Sequence, residues 1–179
     1  MIPYGAKELA AAFRTVRTNT LQIAADIPED KYEWAPAAGT RTVRSVLTHI
    51  AVVPRLQEDM HAVKRVTTLQ GYDFRGMIAQ LFAEESTPRT KAQTIEFVRN
   101  EGERFATWLE TLSPGFLAET FTGPMGLNPK TRFEGLLGVK EHEMHHRGQL
   151  MLIQRLIGLV PHLTRQMEER MAVMAAAKV

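Results

Sequence analysis

Cysteine is absent from this 179-residue chain. Its absence excludes disulfides, thiolate ligation of a metal and a cysteine nucleophile, and it fits a cytoplasmic protein. Long hydrophobic runs are missing as well. No stretch approaches the roughly 18 consecutive apolar residues of a membrane span, so no membrane association is expected. The N-terminal stretch MIPYGAKELAAAF lacks a basic segment followed by an apolar run, so no signal peptide is expected. A charge excess is lacking too. Twenty-two basic residues face 20 acidic ones, a net charge of +2 with histidine neutral. The isoelectric point near 9.0 therefore reflects a small surplus. No dense Lys/Arg patch marks a nucleic-acid footprint, and no nucleic-acid partner is expected.

What is present is an ordinary globular balance, 44% apolar and 23% charged residues, over a length that suits one domain. Residues 5–27 carry Leu9, Phe13, Val16, Thr20, Ile23 and Ile27 at helical spacing, and Pro28 ends that helix. Tyr32 and Trp34, in the connector that follows, are expected to plug the end of the core. A second helix is expected over 42–66, with a seam of Val46, His49, Val53, Leu56, Met60 and Val63 and a kink at Pro54. Gly71 and Gly76 suggest a loop, and Met77–Glu85 a short helix. A third long helix ends at Leu112, with Thr90 and Gln93 at capping-box spacing. The Pro- and Gly-rich stretch 113–130 reads as a long connection.

The fourth helix opens at Thr131, with Glu134 completing a second capping box, and stops at Pro161. Its seam reads Val139, His142, His146, Gln149, Ile153, Leu156 and Val160. No segment reads as a convincing strand. The expected fold is all-α, a four-helix bundle with long inter-helix connections and a short extra C-terminal helix. Residues 1–162 form the bundle, and 163–179 extend the same domain with Leu163, Met167, Met171 and Met174 at helical spacing. That methionine-rich tail could pack on the bundle, on a second subunit or on another protein.

The seams hold three histidines on two helices. His142 and His146, four residues apart, stack on one helical face. His49 occupies a seam position of the second helix. Three unpaired imidazoles in one core would be costly, because each keeps a donor and an acceptor to satisfy. One metal ion held by all three satisfies a nitrogen on each ring. Zinc, nickel and iron(II) all suit imidazole. Three neutral ligands leave part of the coordination shell for water or substrate, the pattern of a catalytic site. His145 points off the seam and is expected to be exposed, and His61 and His162 are expected at the surface. Glu143 and Gln149 either orient the ligands or are simply solvated or seam polar residues. A di-iron carboxylate site is disfavoured despite two Glu-x-x-His spacings, Glu58–His61 and Glu143–His146, because Glu58 points away from its seam and the first and third helices offer no seam glutamate.

Two blocks carry a family resemblance. One is IPEDKYEWAPAAGTRTVRSVLTHIA, Ile27–Ala51; the other is EHEMHHRGQLMLIQRLIGLVP, Glu141–Pro161, with its HHRGQ core. Over roughly residues 5–162 the chain resembles the DinB/YfiT-like family of metal-binding four-helix bundles. Carried over residue by residue, the family's metal triad falls on His49, His142 and His146. Pro54 departs from the family pattern. The resemblance implies an open divalent-metal site, often in a homodimer. It also implies relatives that are transferases or isomerases using low-molecular-weight thiols such as mycothiol or bacillithiol. The expected function is a metal-dependent enzyme moving a thiol cofactor onto a small electrophile, with the metal holding the thiol as thiolate. Arg41, Arg44 and Arg147 are candidates to meet an anionic cofactor, but each is more readily read as part of a solvated face. The alternative is a non-catalytic metal-binding bundle with a structural, sensing or stress-response role.

Overall fold

The computed structural model describes residues 4–177. Its first helix, α1 (Ala6–Asp26), buries the expected stripe, Leu9, Phe13, Val16, Thr20 and Ile23, and adds Ala10, Arg17 and Ala24. It ends where Pro28 forces Ile27 into an extended conformation. Its last carbonyls are capped from outside, since Lys91 Nζ donates to the carbonyl oxygens of Ala25 and Ile27 at 2.7 Å each. Buried Tyr32 plugs this end as expected, its hydroxyl donating to Ala24 O, and Trp34 packs beside it.

The second helix is shorter than its hydrophobic pattern. It runs as α2 (Val43–Val52), restarts at Pro54 as α3 (Pro54–Glu58) and ends in a π-turn over Asp59–Val63. Proline has no N–H for the carbonyl of Ile50, four residues back. Val63, the last residue of the expected seam, is exposed. Helix α4 (Phe74–Glu85) contains the expected short helix and starts three residues earlier, where the Asp73 side chain caps Gly76 N. Helix α5 (Lys91–Glu110) carries the Thr90–Gln93 capping box, and α7 (Arg132–Leu156) the Thr131–Glu134 box. The connection between α5 and α7 holds α6 (Pro114–Ala118) and a two-residue antiparallel ladder, β1 (Thr120–Phe121) with β2 (Lys130–Thr131). Helix α8 (His162–Ala176) follows Pro161. Residues 178–179 of the expected extension lie outside the described residues.

The long helices form a ring in which α1 and α2 each touch both α5 and α7. Two apolar clusters fill it. One joins Ile23, Ile27, Val46, Leu47, Ile50, Val98, Leu150 and Ile153; the other joins Leu9, Phe13, Phe105, Leu109, Leu136 and Val139. Each fully buried Leu, Ile or Phe contributes about 1.5–3 kcal/mol.

A buried ion pair separates the clusters. Arg17 Nε donates to both carboxylate oxygens of Glu143 at 3.0 and 3.1 Å. Arg17 Nη1 donates to Val98 O and Nη2 to Ile50 O, at 2.5 and 3.2 Å. One guanidinium thus ties α1 to α7, α5 and α2, and it supplies the donor that Pro54 takes from Ile50. Gly102 makes this possible, because a Cβ there would stand 2.7 Å from Arg17 Nη1.

The fourth helix departs from its expected seam in one respect. Its buried face is Leu136, Val139, Glu143, His146, Leu150 and Ile153. Gln149, Leu156 and Val160 are exposed. Two apolar stripes run side by side on α7, and the one holding Leu152 and Leu156 borders a pocket instead of the core.

Candidate metal centre

Helices α2 and α7 bring the three expected histidines together. His142 and His146 lie one helical turn apart on α7, and His49 reaches across from α2. The Nε2 atom of His142 is 3.2 Å from that of His49 and 3.1 Å from that of His146. One ligand nitrogen of each ring lies within 4.8 Å of the other two. Nitrogens about 2.0–2.1 Å from one shared ion stand roughly 3.0–3.4 Å apart. His146 is buried, and His49 and His142 are half-buried.

Two of the rings are held in the ligating tautomer. His49 Nδ1 lies 2.6 Å from Glu85 Oε1, and His146 Nδ1 lies 2.8 Å from Gln149 Oε1. Both oxygens are acceptors, so each Nδ1 carries the proton and each Nε2 keeps its lone pair facing inward. A carboxylate behind a ligating imidazole fixes the ring and raises its basicity. The Gln149 amide is oriented by a second contact, donating through Nε2 to exposed His145 at 3.2 Å.

The local electrostatics favour the neutral form of the two histidines on α7. Burial, then the neighbouring imidazoles of His146 and His49, push His142 down to about 4. Burial also lowers His146, against the opposing effect of its hydrogen bond to Gln149. Neutral rings are what a cation needs, and converging lone pairs without one repel each other. The donor set, three imidazole nitrogens, therefore fits a single divalent ion, and the group holds no fourth ligand among the described residues.

The other expected roles divide. Gln149 orients a ring. Glu143 is not solvated, at 2% exposed, and both of its carboxylate oxygens are bound by Arg17 rather than by a histidine. His61 and His162 are not surface residues, at 0% and 4% exposed. His61 accepts through Nδ1 from Arg132 Nη1 at 2.9 Å and donates through Nε2 to Gln57 at 3.1 Å. Arg132 is itself buried and bound to Glu119. His162 Nε2 bonds Asn19 Oδ1 and sets the start of α8 against α1. Glu58 is held by Arg104. Both Glu-x-x-His spacings are thus spent on separate ion pairs, which removes the di-iron site. Glu85, absent from the sequence-based site, is 36 residues from His49 in the chain, and no local spacing links the two.

A pocket of about 370 Å³ opens beside His146, walled by Val46, Gln149, Leu152, Ile153 and Leu156, with Arg41 at its edge. No helix among the described residues is long and apolar enough to cross a membrane.

Comparison with known proteins bears on the whole bundle. The sequence profile described as the DinB superfamily matches residues 12–150. Among solved structures, a DinB-like protein of Bacillus subtilis, YjoA, superposes with a TM-score of 0.61 at 21% identity, over 84% of this chain and 92% of that one. YfiT of the same organism gives a TM-score of 0.65 at 16% identity, over 89% of this chain and 91% of that one. YfiT is described as a probable metal-dependent hydrolase with an unusual four-helix bundle topology. At these identities the likeness is one of fold. No protein with a curated description is similar enough in sequence to match.

Proposed function

The chain belongs to the DinB superfamily, and from that premise we propose that it is a divalent-metal-dependent enzyme whose ion is held by His49, His142 and His146. The observation that carries this reading is the convergence of three Nε2 atoms, two of them fixed as lone-pair donors by Glu85 and Gln149. A closed structural site would present four protein ligands. Among the described residues this group offers three, beside an open pocket.

When bound, a divalent ion supplies Lewis acidity and favours the ionised form of a small nucleophile, a thiol or a water. The protein's own side chains do the rest. Glu85 and Gln149 hold the ring protons of His49 and His146 at Nδ1. Val46, Leu152, Ile153 and Leu156 give the ligand an apolar wall and keep part of it out of water. No cysteine competes for a thiol. The nucleophile proposed first is a low-molecular-weight thiol transferred to a small electrophile. Water, giving a hydrolase, is the second reading, favoured by the likeness to YfiT.

The test is elemental analysis of purified, untagged protein beside a His142→Ala, His146→Ala variant. About one divalent ion per chain, lost in the variant, supports the reading and names the metal for thiol-transfer and hydrolysis assays. Wild-type protein that takes up no zinc, nickel or iron(II) refutes it.

A further inference from the structure

We infer that the pocket beside the histidines selects small molecules bearing an anionic group on an apolar body, and that Arg41 grips the anion. This rests on the proposed site only for where the ligand sits.

Pro36, Val46, Leu152, Ile153 and Leu156 give the pocket an apolar wall, Thr40, His146 and Gln149 are its polar members, and among the described residues Arg41 is the one formally charged residue lining the space. Leu152 and Leu156 are 59% and 57% exposed, on the stripe of α7 that faces away from the core. An apolar ligand would remove them from water. The volume of about 370 Å³ falls in the range of small-molecule sites.

Arg41 differs from the arginines around it. Arg44, three residues on, donates two hydrogen bonds to Glu33, and Arg55 donates two to Glu101. The Arg41 guanidinium makes no hydrogen bond among the described residues. Its nearest carboxylate is Glu85, with Nη2 to Oε2 at 3.9 Å, beyond hydrogen-bond length. The other oxygen of Glu85 is already taken by His49. Arg41 also lines a second cavity of about 510 Å³ beside Glu85, Arg44 and Ser45, so it stands on the ridge between two open spaces.

The backbone on both sides of Arg41 is fixed. Before it, a turn closes with the Thr40 hydroxyl on Ala37 O at 2.7 Å and Gly39 at φ +78°, the left-handed region that favours glycine. After it, Thr42 caps α2 by accepting from Ser45 N. The backbone is anchored, while the guanidinium N–H groups make no hydrogen bond among the described residues and have only the Glu85 carboxylate nearby, at 3.9 Å. A planar guanidinium suits a carboxylate, sulfonate or phosphate through paired hydrogen bonds.

The probe pair is hexanesulfonate and 1-hexanol, matched in chain length. A sulfonate pairs with guanidinium but is a poor metal ligand, which separates capture by Arg41 from capture by an ion. Titrations of zinc-incubated protein are followed by NMR of the methyl groups of Leu152, Ile153 and Leu156. The expected result is that hexanesulfonate binds roughly tenfold more tightly than hexanol. Arg41→Gln removes that preference, Arg41→Lys restores part of it, and all three proteins keep the same fold by circular dichroism. Equal binding of the two probes, or a sulfonate preference that survives Arg41→Gln, overturns the inference. Zinc content of the same samples is read separately. A lost preference with zinc retained leaves the metal reading standing, and a preference without zinc shows the reverse.

Discussion

Gly102→Ala should change sign with the company it keeps. In the native chain the added Cβ would lie 2.7 Å from Arg17 Nη1, 2.9 Å from Cγ and 3.1 Å from Cδ, all closer than a methyl tolerates. Arg17 cannot give way without leaving Glu143, Val98 O and Ile50 O. Breaking a buried pair costs about 3–5 kcal/mol. Alanine at an interior helix position returns up to about 1 kcal/mol over glycine. The net is a loss of about 2–4 kcal/mol, and a midpoint about 3 kcal/mol lower corresponds to roughly 6–12 °C in Tm for a chain of this size. In an Arg17→Leu, Glu143→Leu background the guanidinium is gone, and Gly102→Ala should stabilise by about 0.5–1 kcal/mol relative to that background. Urea unfolding followed by circular dichroism gives both differences. Equal effects in the two backgrounds would refute the claim that Gly102 exists to let Arg17 pass.

Two further outcomes follow from the hydrogen-bond network. Glu85→Gln should weaken zinc binding by about 10–100-fold in competition with a chelator while leaving the helical spectrum intact, because the Nδ1 proton of His49 loses a charged acceptor; unchanged affinity would show that Glu85 does not act on the ring. Burial, with the charge of Arg132 second, lowers His61 to about 4. The unfolded chain protonates near pH 6.5 and so binds more protons between the two values. Stability is therefore full above about pH 6.5 and falls by about 3 kcal/mol as pH drops to about 4. Chemical denaturation across that window should show a flatter profile for His61→Gln, and equal slopes would count against the assignment.

Much of this architecture was legible because it is local. The stripe of α1, the Thr90 and Thr131 capping boxes and the stop at Pro28 each depend on residues within a turn or two. The meeting of His49, His142 and His146 is legible because two of them stand one turn apart on one helix and the third interrupts the apolar run of another. The expected seam of α7 shares Val139, His146 and Ile153 with the buried face and departs from it at Gln149 and Leu156, which line a pocket at the spacing a core face shows. Long-range pairings left no local trace. Arg17 and Glu143 are 126 residues apart, His61 and Arg132 are 71 apart, and nothing in either neighbourhood reveals its partner. His61 and His162 look like surface residues for the same reason: what buries them arrives from other helices.

Glu85 is one of only two buried residues of α4, the other being Leu81. The carboxylate that sets the ring of His49 is thus also a peg holding a lightly anchored helix onto the bundle. Chemistry and chain architecture share one hydrogen bond. Truncating Glu85 to alanine would disturb both at once and report on neither. An amide of the same reach keeps an acceptor oxygen and an anchoring contact while removing the charge, so shape and charge at this position are separable by a single pair of variants.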